Sequence, residues 1–329
     1  IREYVKPNDI DDLLYLMIRK GNGIIYANTV DKAIMYYKWF EEYNRQINKK
    51  ITVVLYHSRF TEPDKVKKEN QIINLLGRKS WEDGKANGIV IMTQIGEMSI
   101  NISAEMMISE ICPIDRLMQR AGRMCRFDKT KVGELYVLIP KKHGILYPAP
   151  YGTFDFHSKS WIPCEYLIQT IHILVEKAYN FEMLVDMLNQ IYNSEKKYSI
   201  KSIANAKNLK DYYTINWLIN PQQKSSIDEE SANFWKSRDI MPQDTIFVKK
   251  PISTNFINYL EFQSWKICNS IELPVYEIEK GRKQHKIDII KVIVKDETVN
   301  MYIVRDGFYN DTIGVDLFEK DNDIENLLL

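Results

Sequence analysis

Residues 89–127 constrain the fold more than any other stretch of the chain. They open on Ile89–Met92, an apolar run between Gly88 and the polar pair Thr93-Gln94, which is the pattern of a buried strand. A second apolar run, Met106 to Ile108, follows a polar loop holding Glu97, Met98 and Ser99. Cys112-Pro113 stops that strand, and the residues up to Arg126 read as a helix. Strand, polar loop, strand and helix is the layout of an open α/β sheet, whose ligands gather at the carboxyl ends of the strands. The helix would carry Arg120, Arg123 and Arg126 three residues apart, hence on one face, with Gly122 keeping the backbone slim. Such a cationic ridge suits a polyphosphate, because a guanidinium is always charged and grips phosphate oxygens with a planar fork. A solvated basic face would show the same spacing.

The flanking sequence extends this pattern. Residues 24–27 and 51–56 read as strands, and Glu134 to Ile139 as a last one. Thr29 can cap a helix whose apolar positions Ala33, Ile34, Tyr37 and Phe40 recur at helical spacing. Thr61-Glu62-Pro63-Asp64 starts another, predicted to carry Lys65, Lys67 and Lys68 outward. Alternation of this kind predicts a mostly parallel sheet over residues 1–160. A seam of Leu167, Ile171, Leu174, Ala178, Phe181, Val185, Leu188 and Tyr192 predicts one long linker helix from about 166 to 192, within a linker and helical segment 161–240. His172 beside that seam reads as a packed or solvated residue. Gln222 to Ser231 reads as a polar loop. From Asp244 onward β signals dominate, so residues 241–329 are expected to form a small antiparallel, β-rich accessory domain.

Composition decides three further points. A chain of 329 residues, 45% hydrophobic, can bury more than one core. Its net charge of +1 excludes a global basic field, so nucleic-acid binding has to come from local patches. Four cysteines without CxxC or CxxH spacing argue against zinc and a disulfide framework, leaving a reduced, cytoplasmic setting as the default. No run approaches the roughly 18 uncharged apolar residues of a membrane span.

The polar residues that follow the strands also carry a resemblance. Thr93-Gln94-Ile95-Gly96-Glu97-Met98-Ser99, then Pro113-Ile114-Asp115 through Gln119-Arg120-Ala121-Gly122-Arg123 to Arg126, resemble the fifth and sixth motifs of superfamily 2 helicases. Ala27-Asn28-Thr29-Val30 and His57-Ser58-Arg59-Phe60 resemble the motifs that precede them. The ordered combination is most similar to the CRISPR-associated helicase-nucleases of type I systems, over a region that would be the second RecA-like lobe, a linker and a C-terminal domain. The resemblance implies an ATP-dependent single-stranded DNA translocase that feeds a nuclease. Arg123 and Arg126 would be arginine fingers, and Gln119 would contact the γ-phosphate or its attacking water. Arg120, Gly122, Glu97 and Asn101 would support the nucleotide site, Glu97 by bracing the arginine helix. Asn28, Thr29, His57, Ser58, Arg59, Thr93 and Ser99 would line the DNA track. Phe60 reads as core packing or, alternatively, as a base stacker.

Relatives usually have carboxylates where this chain has Asn101 and Ser103, which puts part of the nucleotide grip in doubt; Asp64-Lys65 replaces a usual Asp-Arg. The chain opens at Ile1 and shows no GxxxxGK[ST] loop, acidic DExH motif or His-Asp nuclease motif. It is therefore expected to be a C-terminal half, inactive alone, with ATP and Mg²⁺ bound mainly by a first lobe. The partners implied are that first lobe, an HD nuclease domain, single-stranded DNA and an RNA-guided surveillance complex. A non-catalytic half-motor that binds and regulates a partner, or half of a DExH-like RNA helicase, would share these motifs.

Overall fold

Apolar runs too short for helices and too continuous for half-exposed strands become the centre of a parallel sheet. In the computed structural model, residues 1–47, 50–128, 130–155, 157–192, 207, 210 and 242–317 are described, with Met98 and Ser99 as backbone alone. In chain order the first unit runs β1 (Arg2–Tyr4), α1 (Asp11–Lys20), β2 (Asn22–Tyr26), α2 (Val30–Gln46), β3 (Val53–Tyr56), α3 (Glu62–Leu76), α4 (Arg78–Glu82), β4 (Gly88–Met92), α5 (Gly96–Ser99), β5 (Met106–Glu110), α6 (Ile114–Ala121), β6 (Glu134–Lys142) and β7 (Ile145–Leu146). The sheet order is β1-β6-β5-β2-β4-β3, all parallel, with β7 antiparallel on β6. Strands β2, β4 and β5 are buried along their whole length, as strands covered on both faces must be. Alternate residues feed two cores: Ile25, Leu55, Ile91 and Ile108 pack with α1 and α2, while Ile24, Val54, Val90 and Met107 pack with α3 and the loop at 100–104. The edge strand β1 has no counterpart in the sequence reading.

Three expectations need correction here. The seam at 166–192 is two helices, α7 (Glu165–Ile173) and α8 (Phe181–Tyr192), following the hairpin of β8 (Gly152–Asp155) and β9 (Ser160–Pro163). The break has a local cause. Tyr179 folds its hydroxyl onto both backbone groups of Val175, and Asn180 Oδ1 accepts the Met183 N–H at 2.8 Å, capping a fresh helix. Leu167, Met187 and Ile191 then pack around Leu117 of α6, and Thr170 Oγ1 accepts the Ile114 N–H at 3.0 Å, so the pair of helices fixes the start of α6.

The C-terminal unit comprises β10 (Gln243–Phe247), β11 (Asn255–Phe256), α9 (Tyr259–Asn269), β12 (Ser270–Pro274), α10 (Val275–Lys283), β13 (Ile287–Val294), β14 (Glu297–Val304) and the hairpin β15 (Tyr309–Asn310) with β16 (Gly314–Val315). Its sheet, β11-β13-β14-β10-β12, is mixed and not antiparallel throughout, because β10 runs parallel to β14 and β11 parallel to β13. Lys68, expected outward, is buried: its ammonium sits 4.3 Å from the centre of the Phe60 ring and donates to Thr312 O at 3.2 Å. The contact comes from the C-terminal unit, which α3's own periodicity cannot reveal. The predicted polar loop Gln222–Ser231 lies outside the described residues.

Candidate functional site: the strand ends and the arginine turn

The sheet order brings the carboxyl ends of β5, β2, β4 and β3 side by side, and with them Glu110, Asn28, Thr93 and His57. Arg120 reaches this row from α6 and is 0% exposed. Its Nε donates to Glu97 Oε1 at 2.8 Å. Its other nitrogens donate to Ser109 Oγ and Glu110 O at 2.9 Å each and to Tyr151 Oη at 3.0 Å, with longer contacts of 3.3–3.4 Å to Asn28 Oδ1. The guanidinium also lies 5.0 Å from the centre of the Tyr26 ring. Burial works against its charge, but Cys112, Tyr151 and Glu97 hold its pKa above the ordinary arginine value. With its donors taken by protein oxygens, Arg120 is a post that joins α6 to the loop after β4 and to the ends of β2 and β5. Arg116 reaches the second oxygen of Glu97 at 3.4 Å.

The three arginines do not form one helical ridge. Helix α6 ends at Ala121, with Gly122 donating its N–H to Met118 O at 2.9 Å. Cys125 then adopts a left-handed φ of 45°, and the chain is drawn beside residues 103–104. Ala104 N–H donates to Arg123 O at 3.2 Å and Cys125 N–H to Ala104 O at 3.0 Å; Arg126 N–H donates to Ser103 Oγ at 2.8 Å. This bridge satisfies backbone groups that a longer helix would have satisfied itself, so the three-residue spacing loses its helical meaning. Arg123 is 4% exposed and donates to the carbonyls of Glu97 and Ile100, leaving a buried Nε without a partner. Arg126, Gln119, Gly122 and Asn101 are exposed.

The residues expected on the DNA track divide in the same way. Ser58 is exposed and Thr29 half-buried, its hydroxyl capping α2 by accepting the Lys32 N–H at 3.3 Å. Asn28 is buried: its amide donates to Ile111 O at 2.8 Å and its Oδ1 faces Arg120. Thr93 is buried at the end of β4, and the Ser99 side chain lies outside the described part.

His57 and Arg59 are covered by the C-terminal unit. Arg59, 6% exposed, donates to Asp31 at 2.7 Å on one side and to Glu277 of α10 at 2.9 Å on the other. Its carbonyl accepts the Val315 N–H at 3.0 Å, and Tyr309 donates its hydroxyl to Asp64. His57 stacks on Phe60 at 4.4 Å between ring centres, which places Phe60 in the core. Burial, reinforced by Arg59 and Lys68, holds His57 neutral by pushing its pKa well down; burial brings Lys68 down to about 8. Glu277 is pushed up by burial against the opposing pull of Arg59.

Sequence reasoning passed over Glu110, Lys32, Asp31, Glu277, Tyr309 and Tyr151. A signal existed for Glu110, since it ends an apolar strand just as Thr93 does, but Glu277 and Tyr309 became visible only through contacts across more than two hundred residues.

A mostly parallel sheet with flanking helices, its strand-end loops braced by a buried arginine–glutamate pair and a small β unit on one side, has the α/β fold of a RecA-like lobe. A family model described as CRISPR-associated nuclease/helicase Cas3, C-terminal, matches residues 19–129. Sequence relatives include a Methanocaldococcus jannaschii protein described as a CRISPR-associated nuclease/helicase Cas3, 26% identical over 98% of this chain and 41% of that protein. The Escherichia coli K12 CRISPR-associated endonuclease/helicase Cas3 is 36% identical over 35% of this chain and 13% of its own length. The fold is similar to T. fusca Cas3 crystallised with ADP, at a TM-score of 0.60 and 14% identity over 92% of this chain and 39% of that one. It is similar also to a chain of a pre-nicking CRISPR RNA-guided surveillance complex, at a TM-score of 0.54 and 16% identity, covering 84% of this chain and 37% of that one. The chain thus spans less than half the length of these proteins, and residues 19–129 are similar to the C-terminal region that the family model describes.

Proposed function

We propose that the chain is the second motor lobe, with its accessory unit, of an ATP-dependent single-stranded DNA translocase-nuclease that acts in type I CRISPR antiviral defence. The observation that carries this reading is the buried Arg120–Glu97 post. It fixes the loop after β4 and the turn after α6 while leaving Gln119 and Arg126 free to meet a ligand. Both are neutral or cationic donors, suited to phosphate oxygens. Mg²⁺ would enter with the nucleotide and be held mainly on the first lobe. ATP, when bound between the lobes, supplies the energy for closure. Arg126 would neutralise charge developing on the transferred phosphoryl group, and Gln119 would orient its neighbours or the attacking water. Arg123 would act as a finger only by exchanging two main-chain carbonyls for phosphate oxygens; until then it holds the loop at 97–100. Thr29 and Ser58 would offer hydroxyls to backbone phosphates. The whole protein would be completed by the first lobe and an HD nuclease domain and recruited by an RNA-guided surveillance complex; the chain alone would not hydrolyse ATP.

The burial of Arg123 against its own chain favours one second reading, a non-catalytic half-motor that binds and regulates a partner. Steady-state ATP hydrolysis by the full-length protein, with single-stranded DNA, with RNA and with neither, separates the readings. DNA-stimulated hydrolysis supports the motor, stimulation by RNA alone supports an RNA helicase, and nucleic-acid binding without hydrolysis supports the half-motor.

A further inference from the structure

Glu110 closes β5 with its side chain fully buried, yet it belongs to none of the motifs that point to nucleotide or DNA. One carboxylate oxygen accepts the backbone N–H of Asn28. The other accepts the Tyr4 hydroxyl and lies 3.0 Å from the Lys32 ammonium. Its main-chain carbonyl accepts from Arg120, which also contacts Asn28 Oδ1. Glu110, Asn28 and Arg120 therefore close a ring in which Asn28 is held at both its backbone and its side chain.

The ring joins two faces of the lobe. On one side lie Thr29 and the first turn of α2 with Lys32, the end of β2 expected to meet a nucleic-acid backbone. On the other lie Arg120, Glu97 and, through the Glu97 carbonyl, Arg123. Burying a carboxylate is costly, and a carboxamide could accept the same Asn28 N–H without that cost. What the charge adds is a grip on Lys32, whose ammonium also lies 4.5 Å from the centre of the Tyr4 ring and donates to the Tyr4 hydroxyl at 3.2 Å. The first turn of α2 is thereby pulled against the end of β5.

We propose that Glu110 is a positioning residue that keeps the nucleic-acid end of β2 and α2 in register with the arginine-bearing end of α6. A strand seated at Thr29 is then felt at the nucleotide contacts. This rests on the function proposed above. When Asn28 shifts, the oxygen facing Arg120 shifts with it, and Glu110 couples that shift to Lys32.

The test uses the full-length protein, as wild type, Glu110→Gln and Lys32→Leu. ATP hydrolysis is measured with and without an oligothymidylate, together with the KM for ATP and the unfolding temperature. Glu110→Gln is expected to lower the ratio of DNA-stimulated to basal hydrolysis by about fivefold or more, within the usual range of inter-site coupling. Its basal rate and KM should stay within about twofold of wild type, because uniform nucleotide binding is untouched. Lys32→Leu should move the ratio in the same direction by less, and it decides the matter if the glutamine variant does not fold. The proposal is overturned if the variant keeps the wild-type ratio, or if basal and stimulated rates fall together as a purely structural defect would make them. If the wild type shows no stimulation by DNA, the motor reading itself fails and takes this inference with it.

Discussion

Replacing Arg59 by leucine removes the guanidinium that joins the lobe to the C-terminal unit. Glu277 is left with its carboxylate 8% exposed, while Asp31, at 40%, stays largely hydrated. The cost therefore falls on Glu277, which can escape a buried unpaired charge by taking up a proton. With an unfolded pKa of about 4.3, protonating it at about pH 7.3 costs about 4 kcal/mol, and at about pH 5.3 about 1.4 kcal/mol. The wild type already bears part of this, since burial raises the Glu277 pKa despite Arg59. The expected destabilisation is then about 2–4 kcal/mol at neutral pH, consistent with breaking a buried pair, and about 1–2 kcal/mol less at the lower pH. The sign follows from the direction of the shift. A carboxyl whose folded pKa stands above its unfolded value favours the fold below that range and loses the advantage as pH rises through the folded pKa. Urea unfolding of the two proteins at both pH values measures it. A cost under about 0.5 kcal/mol, the size of an ordinary surface substitution, or one equal at the two pH values, would refute the coupling of Arg59 to Glu277.

Gly314 has a φ of 79°, and a Cβ there would stand 2.6 Å from Arg59 O and 2.9 Å from His57 Cε1. Gly314→Ala should cost about 1–3 kcal/mol by strain alone and, in limited proteolysis, should free the C-terminal unit from the lobe before the lobe unfolds. Cys268 is exposed whereas Cys112 is buried, with burial pushing its thiol up to about 12. A thiol reagent at neutral pH should therefore label Cys268 at once and Cys112 only after denaturant is added; early labelling of Cys112 would contradict the packing of α6.

How far the sequence reached depends on the range of the force involved. The strands at 88–92 and 106–110 and the cap of α2 at Thr29 were legible because apolar runs and caps act over a few residues. Arg120, Arg123 and Arg126 were legible as a cluster but not as a geometry. Their spacing implied a helical face, and the bridge between Ala104 and Met124 ends the helix first. The seam at 166–192 was misread for a similar reason, since a cap at Asn180 outweighs an uninterrupted apolar period. Arg59 was legible as a cation following a strand, but it was assigned to the DNA track, whereas it is buried between Asp31 and Glu277. Its pairing with a glutamate 218 residues away was not legible, because no local pattern encodes a partner at that separation.

Arg126, exposed and anchored by its backbone N–H on Ser103 Oγ, is proposed to reach a phosphoryl group held by the other lobe. Steady-state ATP hydrolysis by full-length Arg126→Ala, with saturating single-stranded DNA, tests it most directly. The expected result is a fall in kcat of about a thousandfold or more with the KM for ATP little changed, as for loss of an arginine finger. A kcat equal to wild type would rule out this role for Arg126.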